Sequence, residues 1–245
     1  MKKNILIIFT LLLLNMQAFA QEKSDSEQKT DDSKVIEEKV EEEQIPLAEK
    51  LPVLSRKNLI IYEFNPVKNK DGIVTLVEFN DLGCKECLQK SKEFYAQLIK
   101  ENMRHVKVIY KHANSNNLNL VNQLAISGLV ADSLGKFWEF KKQVGLKDYS
   151  NFDNQISLFL ELGADKNKLT DLLNDSTKTL YRKIDADANY ASSLKSKTVP
   201  MFYLDGYKVQ EDLTIPEINE YIQTKVDGHL KAVYEEQNKY KMGKF

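Results

Sequence analysis

The sequence GCKEC at positions 83–87 holds the only two cysteines of a 245-residue chain. Two thiols three residues apart have three chemistries open to them: a structural bridge, half of a zinc site, or reversible thiol–disulfide exchange. A bridge closing about four residues stabilises a fold by only about 2 kcal/mol in the loop-entropy model, against nearly 5 for a 100-residue loop. Zinc needs two further ligands, and His105, His112 and His229 form no H-x₃₋₅-H pair. Bridge and zinc remain the alternatives, and the spacing favours redox exchange. That chemistry resides in the sulfurs, so no cofactor and no metal are expected.

The pair must be held by its neighbours. IVTLVEF, Ile73 to Phe79, is a nearly continuous apolar run that suits a central strand covered on both faces. NDLG follows as a short loop. From Cys84 onward the apolar pattern becomes helical, with Cys87, Leu88, Ser91, Phe94, Tyr95, Leu98 and Ile99 along one side. The cysteines thus lie at a strand-to-helix junction. NLIIYEF, Asn58 to Phe64, reads as a preceding strand and VKVIYKH, Val106 to His112, as a following one. The first ordered element is expected near Lys57.

A long helical stretch comes next, 113–195. It divides into segments at Leu118–Ser133, Leu134–Val144, Phe152–Glu161, Lys166–Leu173 and Ser176–Leu194, with Gly163 as a stop signal. Phe137, Trp138 and Phe140 are expected in a core rather than at a cofactor. TVPMFYLDGYKV, Thr198 to Val209, reads as a hairpin turning at Asp205-Gly206. Thr214-Ile-Pro-Glu217 is a capping box. Its helix continues through Ile215, Ile218, Ile222, Val226, Leu230 and Val233, with Gly228 as a possible break or bend.

The N-terminus carries export features. Lys2 and Lys3 precede the apolar run Ile5 to Leu14, and Ala18-Phe19-Ala20 forms a small-x-small cleavage site. Residues 1–20 are therefore expected to be a signal peptide, with an uncleaved anchor as the alternative. No other stretch is apolar enough to span a bilayer, so no stable membrane span is expected after cleavage. Residues 21–57 are read as an acidic, disordered tether, since Gln21 to Gln44 is polar and without aromatics. A short helix through Ser33–Glu43, associating as a stalk, is the other reading. The formal net charge is −1, and loss of Lys2 and Lys3 leaves 33 basic residues against 36 acidic. No basic field exists to attract phosphates, which argues against nucleic acid as a partner.

VEFNDLGCKEC, the helical region containing GKFWEF, and KTVPMFYLDG, in that order behind an export signal, resemble the DsbA subfamily of thiol–disulfide oxidoreductases. The resemblance runs from about Asn58 to the C-terminal helix. It implies an α/β thioredoxin fold in two parts, 58–112 and 196–245, interrupted by an α-helical insertion at 113–195. It further implies a Cys84–Cys87 disulfide, with Cys84 as the nucleophile and Cys87 resolving. Pro200 corresponds to the family's cis-proline, which makes Val199 a backbone contact for an extended substrate. Glu78 corresponds to the family's buried acid, a proton relay whose pKa burial is expected to raise. Asp81 occupies a loop position common in the family and is read as structural. The implied partners are cysteine-containing exported proteins and a membrane quinone-linked reoxidising protein, and the implied location is the periplasm.

Elementary physics agrees with the redox reading. The first N–H groups of a helix are unpaired and its N-terminal end is electropositive. Both favour a thiolate at Cys84 and make it a better leaving group. Lys85-Glu86 departs from the Pro-containing dipeptide of strongly oxidising members. Lys85 favours the thiolate and Glu86 opposes it, so a milder oxidant is expected. A disulfide isomerase or reductase, oligomerised through its N-terminal segment, is one competing function. A non-catalytic binding module is another.

Overall fold

The computed structural model describes residues 46–114, 123–149, 151–175, 177–194, 198–209 and 211–242. The expected signal peptide, 1–20, and most of the expected acidic tether, 21–57, lie outside the described residues. The chain divides between Gln44 and Ile45, and the described residues belong to the second unit.

A five-stranded mixed sheet organises this unit. Strand β1 is Val67–Lys68, β2 is Val74–Asn80, β3 is Val106–His112, β4 is Met201–Leu204 and β5 is Tyr207–Lys208, in the order β1-β3-β2-β4-β5. The apolar run of β2 is explained by its central place. It pairs in parallel with β3, from Val74 opposite Val106 to Asn80 opposite His112, and antiparallel with β4.

Eight α-helices are described. Helix α1 (Leu47–Lys50) precedes the sheet, α2 (Lys85–Ala96) follows β2, and five helices separate β3 from β4: α3 (Gln123–Ser133), α4 (Phe137–Val144), α5 (Phe152–Glu161), α6 (Lys166–Asp175) and α7 (Thr177–Ser193). Helix α8 (Ile215–Met242) ends the described chain. This is the thioredoxin-like fold with a helical insertion.

Three apolar clusters hold the layers together. Phe94, Phe202, Ile218 and Ile222 join α2 and α8 to one sheet face, with Phe94 and Phe202 stacked at 4.0 Å. Val130, Phe137, Phe140 and Phe159 fill the insertion, where Phe140 stacks on Phe159 at 5.1 Å. Val77, Phe79, Ile109, Tyr203 and Cys87 form the third, beneath the redox pair.

The β4–β5 turn is fixed by local chemistry. Asp205 and Gly206 both have positive φ, 46° and 94°, as a tight hairpin turn requires. A Cβ on Gly206 would lie 2.2 Å from the Lys57 carbonyl oxygen, so only glycine fits. The Asp205 carboxylate accepts hydrogen bonds from the Thr75 N–H (2.8 Å) and the Tyr221 hydroxyl (3.0 Å), tying the turn to β2 and α8.

Several expectations need correction. Asn58–Phe64 is not a strand. The sheet positions beside β2 are taken by β3 and β4, and this segment crosses the molecule instead. Its N–H groups find scattered acceptors: Ile60 donates to the Tyr190 hydroxyl and Tyr62 to the Asn65 side chain. The first strand is Val67–Lys68, on the outer edge of β3. Structure also begins before Lys57, because α1 buries Leu47 against the α2–α8 cluster and Lys50 pairs with Glu217 at 2.8 Å. Gly228 does not break α8, which runs through it from Ile215 to Met242. An interior glycine costs about 1 kcal/mol relative to alanine, too little to end a 28-residue helix. Leu230, Val233 and Ile99 are exposed rather than buried; Ile99 follows the end of the helix at Ala96, where helical spacing no longer sets its direction.

Candidate active site

Strand β2 ends at Asn80, and a short turn delivers the chain into α2. Asp81 fixes that turn. Its carboxylate accepts from the Gly83 N–H at 2.7 Å, and its carbonyl accepts from the Cys84 N–H at 3.2 Å. Asp81 is thus structural, as expected. Cys84 is the N-cap of α2, and its sulfur accepts from the Cys87 N–H at 3.1 Å. One unpaired N–H of the helix opening is therefore aimed at this sulfur.

The two sulfurs are joined, with Cα atoms 5.2 Å apart. Cys84 is half-buried and Cys87 is buried. An attacking thiol consequently meets Cys84 first. Val199 and Cys87 belong to one apolar cluster, and Cys84 packs against it. The Val199–Pro200 peptide bond is cis. Both residues line a depression beside α2, bordered by Lys90 and Phe94.

Glu78 lies in the middle of β2 and is fully buried. Its carboxylate accepts from the Lys141 ammonium at 2.6 and 2.5 Å, the Ser91 hydroxyl at 2.7 Å, the Asn80 amide at 2.7 Å and the Tyr95 hydroxyl at 2.9 Å. Burial pushes the carboxyl pKa up, but the Lys141 charge and these hydrogen bonds outweigh burial and hold it below the ordinary carboxylate value. The expected upward shift is therefore reversed, and Glu78 is an ionised group with a dedicated counter-ion. Tyr95 stays protonated, because burial and the Glu78 charge push its phenol upward.

Lys141 went unnoticed in the sequence because it sits 63 residues from Glu78, on α4 of the insertion. A weaker signal existed in α2. Ser91 and Tyr95 are polar members of an otherwise apolar stripe, four residues apart, and both turn out to serve Glu78. Between the cysteines, Glu86 pairs with Lys90 at 2.7 Å on the exposed face of α2. That bond and the Lys90 charge lower its carboxyl pKa, so Glu86 is ionised next to the redox pair.

A second buried ion pair braces the same end of the sheet. Lys111 of β3 meets Asp187 of α7 at 2.5 Å. The Asn65 amide donates to the same carboxylate at 2.7 Å, and the His112 N–H does so at 3.1 Å.

The family model described as Thioredoxin, Thioredoxin_4, matches residues 69–224. No curated protein matches the sequence. Among solved structures, a thioredoxin-like oxidoreductase from Silicibacter pomeroyi DSS-3 is 20% identical, over 69% of this chain and 94% of its own, with a TM-score of 0.51. The thiol-disulfide exchange protein alpha-DsbA2 from Wolbachia pipientis is 17% identical, over 66% of this chain and 87% of its own, also at 0.51. Oxidised BdbD from Bacillus subtilis is 15% identical, over 71% and 98%, again at 0.51. These likenesses are likenesses of fold. With the family match, the fold and the joined CxxC pair all in agreement, the chain belongs to the Thioredoxin_4 family, as a DsbA-like thiol–disulfide oxidoreductase.

Proposed function

We propose that this oxidoreductase forms disulfide bonds in exported proteins, in the periplasm, after removal of residues 1–20. The observation that carries the reading is the asymmetry of the pair: Cys84 half-buried at the helix opening, Cys87 buried behind it. A substrate thiolate attacks the Cys84 sulfur. The Cys84–Cys87 bond breaks, Cys87 leaves as a thiolate and takes up a proton, and a mixed disulfide joins substrate to Cys84. A second substrate thiolate then attacks the substrate's own sulfur in that bond and expels Cys84 as a thiolate. The substrate has lost two electrons and two protons, and the enzyme disulfide has become the Cys84 thiolate and the Cys87 thiol, the second proton going to solvent. A membrane quinone-linked partner, implied by the family, removes those electrons and restores the disulfide.

In this reading, backbone groups at Val199 pair with the extended substrate, and Pro200 keeps an N–H donor away from the sulfurs. The cluster that Val199 shares with Cys87 supports its assignment. Ionised Glu78, with Lys141 as its counter-ion, accepts the proton of the inner thiol Cys87 when the pair is reoxidised, rather than supplying one. Its support is indirect: the Asn80 amide that donates to Glu78 also approaches the Cys87 carbonyl, at 3.5 Å.

The test combines a glutathione redox titration with a pH titration of the Cys84 thiolate. The charges of Lys85 and Glu86 partly cancel, so the potential is expected above thioredoxin, about −270 mV, and below the strongest DsbA oxidants, about −120 mV. Cys84→Ser abolishes peptide oxidation. In Cys87→Ser the lone Cys84 thiolate attacks glutathione disulfide, expels glutathione thiolate, and stops at a mixed disulfide with no internal thiol to resolve it. A wild-type rate no higher than that of Cys84→Ser would overturn the reading in favour of a binding module.

A further inference from the structure

Helix α2 separates two concave surfaces. One faces Val199 and Pro200. Cys84 heads the stripe toward the other, followed by Leu88, Lys92 and Tyr95 at helical spacing. These last three line a cleft of about 540 Å³ whose opposite wall, on and just after α4, carries Trp138 and Leu146. The volume lies within the range of functional pockets, about 300–1,000 Å³.

The charge of the cleft is one-sided. Lys68, Lys92, Lys141 and Lys142 line it, and no aspartate or glutamate does, although the whole chain is close to neutral. Lys141 is held by Glu78. Lys68, Lys92 and Lys142 are exposed and have no ion-pair partner among the described residues. Lys68 instead sits over the Trp138 ring, 5.9 Å from its centre. An apolar trough rimmed by unpaired ammonium groups complements a chain segment that is apolar and acidic.

We infer that this cleft is a client subsite, which rests on the oxidoreductase reading above. An unfolded client joined to Cys84 lays an apolar side chain between Leu88 and Trp138 and sets a neighbouring carboxylate among Lys92 and Lys142. The distance fits. Lys92 is eight residues along α2 from Cys84, or about 12 Å at 1.5 Å per residue. Three or four extended client residues cover that span at about 3.3 Å each. The subsite therefore selects clients with an acidic and apolar pair three to four residues from the reacting cysteine.

Two dithiol peptides test this in the full chain, with glutathione disulfide as oxidant. They differ only in carrying Glu-Phe or Lys-Phe four residues from the reacting cysteine. The Glu-Phe peptide is expected to be oxidised about tenfold faster at low salt, from two partly exposed charge contacts. The ratio of the two rates falls toward one in Lys92→Glu/Lys142→Glu and with added salt. Because the readout is a ratio within one protein, a general loss of activity does not imitate the effect. A ratio near one in the wild type, or one unchanged in the variant, overturns the subsite while leaving the oxidoreductase reading intact. Failure to oxidise either peptide or dithiothreitol overturns both. A dimeric mass that the double variant abolishes would give the cleft to a second copy and also overturns the proposal.

Discussion

Glu78 is charged in a place where burial alone favours the neutral acid, and Lys141 is the reason. Lys141→Met removes the opposing charge and leaves the burial, so the Glu78 pKa is expected to rise above the ordinary carboxylate value. A carboxyl-carbon NMR titration reads that shift. Breaking one side of a buried pair costs about 3–5 kcal/mol, visible in urea denaturation, and Glu78→Gln in the same chain should recover part of it. His112 offers a separate pH probe. It is buried, neither ring nitrogen has a hydrogen-bond partner among the described residues, and burial followed by the Lys111 charge lowers its pKa to about 3. The unfolded chain protonates this histidine near pH 6.5, and the folded chain resists. Stability is thus full above pH 6.5 and declines as the pH falls toward 3. Between pH 6.5 and 4.5 the histidine contributes a loss of about 2–3 kcal/mol. The contribution of Glu78, whose folded pKa is lowered, is lost only below its ordinary value of 4.5. Urea denaturation at pH 7, 5.5 and 4.5 should show a shallower decline in His112→Leu, and equal slopes would refute this account.

Among the elements, the insertion is bound to the sheet by side chains as well as by packing. Lys141 of α4 reaches β2, and Asp187 of α7 reaches β3. In the second pair, burial pushes the Asp187 carboxyl up and the Lys111 ammonium down, and each partner's charge opposes the change. Lys111 also lies 4.3 Å from the centre of the Tyr62 ring, so one ammonium organises β3, α7 and the crossing segment before β1. Asp187→Ala leaves that charge buried and uncompensated. A cost of about 3–5 kcal/mol is expected, or roughly 6–20 °C in thermal denaturation. Replacing both partners, with Lys111→Met and Asp187→Leu, should recover most of the loss, because an apolar pair of similar volume has no desolvation penalty. A double variant as unstable as Asp187→Ala would show that the carboxylate acts through some other contact.

For the whole molecule, the open question is between oxidase and isomerase. Among the described residues no helix is long and apolar enough to cross a membrane. An isomerase of this fold grips clients by oligomerising, and the segment suited to that, Ser33–Glu43, lies outside the described residues. Light scattering of the full chain is expected to give the mass of a monomer. A stable dimer that depends on residues 33–57 would favour the isomerase reading over the one proposed.

Much of this protein was decided by residues close together in the sequence. The CKEC pair at a strand-to-helix junction, the Asp205-Gly206 turn and the Thr214–Glu217 cap each depend on neighbours within a few positions. So does the distinction between strand and helix in β2, β3 and most of the insertion. Such features are set by backbone sterics, periodic burial and nearby hydrogen bonds, which a linear reading captures. Tertiary structure decided what depended on distant partners. Glu78 meets Lys141 across 63 residues, and Lys111 meets Asp187 across 76. Asn58–Phe64 has strand-forming residues, but both sides of the central strand β2 are taken by β3 and β4, so its propensity was overridden. The sign of the Glu78 shift turned on one ammonium that only folding brings within 2.6 Å, because electrostatic attraction depends on separation in space and not along the chain.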